Sequence, residues 1–150
     1  MSEERDHRVA AALAGVAMPA GIAIRAFEEG DFPAIQDLSS AEGWPTPATR
    51  PGEALAAWRR SWPALVAVEG EAVAGFVRAL SDGEVTTYVA EILVAPAWRG
   101  RGVGRALLDA CHALTPHTRI DLLATATSGP FYAAHGFRPM PGYRRSVRPI

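Results

Sequence analysis

One cysteine, Cys111, in 150 residues excludes an internal disulfide framework and fits a reducing compartment. No apolar run approaches the ~18 residues that a membrane span requires. The nearest candidate, Val9 to Ala20, is interrupted by Gly15 and Pro19. The stretch before it carries as many acidic as basic side chains, His7 included, which is wrong for a secretory leader. A formal net charge of -1 offers no general field for nucleic acid or an anionic membrane. His7, His112, His117 and His135 lack metal-ligand spacing, so no metal is expected. Repeats and linkers are also absent. With 49% hydrophobic and 21% charged residues, the chain reads as one cytoplasmic globular domain, long enough to bury a sizeable core.

What is present is organised around Val89 to Leu108, VAEILVAPAWRGRGVGRALL. The order is an apolar β-branched run, a Pro-containing turn, three glycines and three arginines in seven residues, and then a helical pattern. Gly100, Gly102 and Gly104 lack a Cβ, so a ligand can lie against the peptide N–H groups. At a helix start those donors are unsatisfied and carry roughly half a positive charge, which suits a phosphate or pyrophosphate. Arg99, Arg101 and Arg105 add forked cations at the rim. Spacing limits which phosphate site this is. Gly100 to Gly104 is GxGxG, not the GxGxxG of dinucleotide sites, and no Lys-Ser or Lys-Thr follows as in a P-loop.

The rest of the chain supplies a frame. Residues 1–20 read as an N-terminal extension, frayed or loosely helical, and 21–150 as the domain. Gly21 to Phe27 reads as the first strand. Asp31 is expected to cap a short helix bearing Phe32, Ile35 and Leu38. The turn-rich segment Ser39 to Glu53 contains Trp44, and a second helix from about Gly52 to Trp62 puts Leu55, Trp58 and Trp62 on one face. Ala64 to Val68, Ala72 to Leu80 and Glu84 to Val94 form a meander through turns at Gly70 and Asp82-Gly83. Val103, Leu107, Ala110, Cys111 and Leu114 share one face of the helix after the loop, and Thr115-Pro116 ends it. Cys111 therefore reads as core. Ile120 to Ala124 is a further strand, Ser128 and Pro130 open a short helix, Gly136 suits its αL cap, and Phe137 begins a final strand.

Two segments carry a resemblance. Arg99-Gly100-Arg101-Gly102-Val103-Gly104 matches [RQ]-x-x-G-x-[GA], and Phe131 to Pro139, FYAAHGFRP, looks like FYxxxGF. Both resemble signatures of the GNAT superfamily of N-acetyltransferases, over roughly Gly21 to the C-terminus. The resemblance implies an α+β (α/β) fold with a mixed, mostly antiparallel sheet of about six to seven strands flanked by about four helices. It also implies direct transfer of the acetyl group of acetyl-CoA to an amine. The pyrophosphate would sit on Gly100 to Arg105, Val103 included, and the pantetheine arm would pair with Ile92, Leu93 and Val94. In the family that strand is splayed by a bulge; no bulge can be read from this sequence.

An alkylamine with a pKa of about 10 is protonated at neutral pH and must lose a proton before it attacks. Glu91, a carboxylate in an otherwise apolar strand, is the candidate base, directly or through water. Its alternative is a strand residue facing solvent. Thr86, Thr87 and Tyr88 lie in the same strand and could order such a water. Tyr132 matches the family tyrosine that commonly protonates the departing thiolate; its alternative is a core tyrosine with a satisfied hydroxyl. Where the family often has an asparagine, Thr125, Thr127 or Ser128 stands here.

Gly43-Trp44-Pro45 and Arg78 to Gly83, RALSDG, resemble the arylalkylamine N-acetyltransferase branch of plants and cyanobacteria. On that resemblance Trp44 would stack an aromatic amine, with Asp82 or Glu84 pairing its ammonium and Tyr88 nearby; Asp82 is equally a turn residue. The expected partner is a small-molecule amine, with no nucleic acid or membrane, in a monomer or homodimer. Acetylation of a protein or peptide N-terminus or lysine is the alternative within the class. A non-catalytic acyl-CoA-binding regulatory module is the alternative outside it.

Overall fold

The computed structural model describes residues 2–146; the last four residues of the expected domain lie outside it. One sheet runs in the order β1 (Ala23–Ala26), β2 (Ala64–Glu69), β3 (Ala72–Ser81), β4 (Thr86–Val94), β5 (Arg119–Leu122). Neighbours are antiparallel except β4 and β5, which are parallel. The helices are α1 (Ser2–Leu13), α2 (Phe32–Ala41), α3 (Thr46–Thr49), α4 (Pro51–Arg60), α5 (Val103–Leu114) and α6 (Gly129–Ala134). The α+β class is the one expected, with five strands among the described residues in place of six or seven. Phe137 opens no strand, and the prolines at 139 and 141 remove two of the donors that a ladder there would need.

Alternation along β2 separates two cores. Leu65 and Ala67 face α1 and α5, where they join Val77, Val89, Leu107 and Cys111. Ala64, Val66 and Val68 face the opposite side with Phe32, Ile35, Trp58 and Phe76. Trp58 is wedged edge-on against Phe76, with ring centroids 5.5 Å apart. Cys111 is fully buried, and desolvation pushes its thiol up to about 12, so it is an inert core residue.

Three local expectations differ from the structure. The segment expected to be a frayed or loosely helical extension contains a regular helix, α1, which lies against α5 and β1 with Val9 and Leu13, one turn apart, buried. Asp31 does not cap α2 through its side chain; its carboxylate accepts two bonds of 2.8 Å from Arg25 and one from the Glu28 N–H. Helix α4 stops at Arg60, and Trp62 packs in the α1/α5 core rather than with Trp58. Pro63 explains this, because the residue before proline is driven out of the helical region.

Candidate functional site

The site starts from a defect in the β3–β4 ladder. Arg78 pairs with Glu91 and Ala79 with Val89, so Ala90 has no partner and β4 bulges there. The bulge reverses the alternation. Val89 faces the α5 core before it, while Ile92 and Val94 do so after it and Leu93 turns to the α2/α4 side. Pairing with β5 also ends here, at Val89 and Leu122. From Ala90 to Val94 the edge turned toward β5 carries no ladder, and it lines a cleft of about 1200 Å³.

The glycine loop forms the next wall. After a 3₁₀ turn at Pro96–Trp98, Gly100 takes φ +76° and Gly102, the N-cap of α5, takes φ +87°; other L-residues are strained in that region. Beyond its two chain neighbours, no atom of the described residues lies within 4 Å of where a Cβ would stand on Gly100, so the loop has room for a phosphate-sized group. Gly104, already helical, serves packing: its Cβ would stand 3.0 Å from the Phe131 ring. The two sequence motifs therefore touch.

The three arginines do not form a common rim. Arg99 donates to the Val94 carbonyl at 3.1 Å and to Glu42 at 2.6 Å, tying the end of β4 to the end of α2. Arg101 stacks over Trp98 at 4.9 Å and does not line the cleft. Arg105 lines it and pairs with Asp109 at 3.6 Å.

Tyr132 reaches the cleft from α6, and the FYxxxGF spacing has a physical reason. Gly136 takes φ +84°; its N–H donates to Ala133 O and the Phe137 N–H donates to Tyr132 O at 3.0 Å. These are the two bonds of a Schellman cap, and the accompanying apolar contact is Phe137 on Tyr132, with centroids 5.5 Å apart. Burial raises the Tyr132 phenol above its ordinary value, which keeps it protonated at neutral pH. The Tyr132 hydroxyl has no hydrogen-bond partner among the described residues, unlike the satisfied core tyrosine weighed above. Ser128 and Thr125, joined Oγ1 to Oγ at 2.9 Å, line the same wall.

Glu91 and Trp44 line the cleft, and Tyr88 and Asp82 do not. Glu91 is not an isolated carboxylate, since Arg78 donates to it at 2.8 Å. Thr87 cannot order a water in the cleft: it is fully buried, and its hydroxyl bonds Ser81, Thr115 and Thr118. Asp82 is a turn residue, accepting the N–H groups of Glu84, Val85 and Thr86 at 2.8, 2.7 and 3.0 Å. Those bonds hold its carboxyl below its ordinary value. A depressed folded pKa means stability that is present above the unfolded value and lost as pH falls through the folded one. The difference in unfolding free energy between wild type and Asp82→Asn is expected to be constant above about pH 5 and to shrink toward zero in stronger acid. Urea unfolding at a series of pH values checks it.

Sequence reading missed Glu42, Trp98 and His135, all of which line the cleft. Trp98 and His135 flank motif residues; Glu42 carried no signal. No cluster of His, Cys, Asp or Glu among the described residues could hold a metal. No helix of the described residues is long and apolar enough to cross a membrane.

A sheet opened beside a bulge, with a glycine-capped helix N-terminus at the opening, defines the architecture of an acyltransferase of the GNAT fold. Residues 60–139 match the model of the acetyltransferase (GNAT) domain, and the chain belongs to that family. No curated protein matches it. Among solved structures it is similar to a protein from Deinococcus radiodurans R1 described as an acetyltransferase, at 28% identity and TM-score 0.70, covering 87% of this chain and 92% of that one. A GNAT-family protein from Xanthomonas campestris pv. campestris is 26% identical with TM-score 0.71, covering 87% and 96%. An N-acetyltransferase from Thermoplasma acidophilum in complex with coenzyme A shares the fold at 15% identity and TM-score 0.62, covering 78% and 89%.

Proposed function

We propose that this acetyltransferase uses acetyl-CoA and transfers its acetyl group directly to the primary amine of a small molecule, with an arylalkylamine as the favoured class. One observation carries the reading: the β4 edge beyond its ladder, the open glycine turn and the phenol of Tyr132, without a hydrogen-bond partner among the described residues, all line one cleft. Bound there, acetyl-CoA supplies an activated thioester. The N–H groups from Gly100 to Arg105 receive its pyrophosphate, and the edge at Ile92 to Val94, open except for the Val94 carbonyl that Arg99 holds, receives its amide-rich arm as an added strand.

Glu91 takes a proton from the ammonium, directly or through one water, which frees the nitrogen lone pair to attack the thioester carbon. As the carbon–sulfur bond breaks, Tyr132 gives its phenolic proton to the leaving sulfur. The phenolate regains a proton from the acetylated nitrogen, so one proton is released per amide formed. Trp44, which lines the same cleft, offers its ring to an aromatic acceptor.

The test is release of free CoA across a panel of arylalkylamines, aliphatic amines, lysine and peptides. Fastest turnover of arylalkylamines is expected. Preference for peptides would move the assignment to protein acetylation, and acetyl-CoA binding without CoA release for any amine would favour the non-catalytic module. Calorimetry that detects neither CoA nor acetyl-CoA binding at millimolar concentration would overturn the reading.

A further inference from the structure

Arg78 is the one charged residue in β3, between Val77 and Ala79, both fully buried. Its own side chain is 18% exposed, so its guanidinium needs partners where it stands. It has two. Nε donates to Glu91 Oε2 at 2.8 Å, and Nη1 donates to Ser61 Oγ at 3.2 Å. The Ser61 hydroxyl donates in turn to the Ala57 carbonyl at 2.6 Å, near the end of α4. Arg78 and Glu91 are register partners at the step where the ladder slips around Ala90.

We infer that Arg78 is a positioning residue for Glu91, an inference that rests on the role of Glu91 proposed above. The guanidinium is planar and permanently charged, so an arm anchored at Ser61 fixes the direction of its Nε–H. That N–H occupies one carboxylate oxygen of Glu91. The other, Oε1, accepts no bond from the described residues and remains available on a side chain that lines the cleft. A glutamate without this tether would sample several rotamers and place a proton acceptor at the amine only part of the time. The RALSDG segment thereby has a structural reason at both ends. Arg78 aims Glu91 beside the bulge, while Ser81 and Asp82 close the hairpin that brings β4 back along β3.

The experiment is a double-mutant cycle on the full chain, with kcat and KM measured for R78M, E91Q and R78M/E91Q, and R78K alongside. R78M is expected to lower kcat by about tenfold with the KM for acetyl-CoA within about twofold, and R78K to recover part of the loss. In the E91Q background the R78M change should cost nothing further, because the group that Arg78 aims is already disabled. Equal loss from R78M in both backgrounds, or no loss in either, would overturn the inference while leaving Glu91 in place. An E91Q enzyme of undiminished kcat would instead remove Glu91 from the mechanism and the role of Arg78 with it. If R78M does not fold, R78K in the two backgrounds carries the same comparison.

Discussion

Tyr132→Phe is expected to lower kcat by about 10²-fold or more while leaving acetyl-CoA affinity unchanged. The substitution is close to a pure test of the hydroxyl. Phenylalanine keeps the edge contacts to Phe131 and Phe137 and both backbone bonds of the α6 cap, so the helix stays where it is. What is lost is a phenol that lines the cleft, has no hydrogen-bond partner among the described residues and is kept protonated at neutral pH by burial, as the role proposed for it requires. Steady-state rates with calorimetry of acetyl-CoA binding separate the two effects. Turnover equal to wild type would exclude Tyr132 from the chemistry.

The largest effect on the fold is expected from Gly75→Ala. Gly75 pairs with Val94, and a Cβ on it would stand 2.8 Å from the Leu93 carbonyl oxygen and 3.4 Å from the Val94 Cα. The obstacle is backbone, so no side-chain rotation relieves it. Overpacking of this kind costs about 2–3 kcal/mol, equivalent to roughly 5–10 °C in Tm for a chain of this length. The strand that has to move is the one whose free edge lines the cleft. Thermal unfolding should therefore show the loss of stability, and acetyl-CoA affinity should weaken with it. A Tm within about 1 °C of wild type would mean that β4 shifts freely, contrary to its packing.

These expectations divide by how far along the chain their causes lie. The glycine loop is legible because its physics is local: positive φ at Gly100 and Gly102, then a helix start, all within a few residues. The α6 cap is legible for the same reason. The bulge at Ala90 is not, since alanine fits a regular strand equally well and only the register against β3 reveals it. Nor is the Arg78–Glu91 pair, whose members are thirteen residues apart and meet through that register. Asp82 was ambiguous because a turn and a substrate ammonium ask for the same residue type; three N–H donors decide for the turn. The firmness of the N-terminal helix is not legible, because its apolar residues are largely alanines with Gly15 and Pro19 close behind, a weak stripe until α5 is there to receive it.

The hydrogen-bonded stop of α6 also makes chain length matter. An added residue between Tyr132 and Gly136 would turn the tyrosine by about 100° around the helix axis and swing its ring out of the cleft. The three residues between Tyr132 and Gly136 thereby set the direction from which the Tyr132 ring meets the cleft.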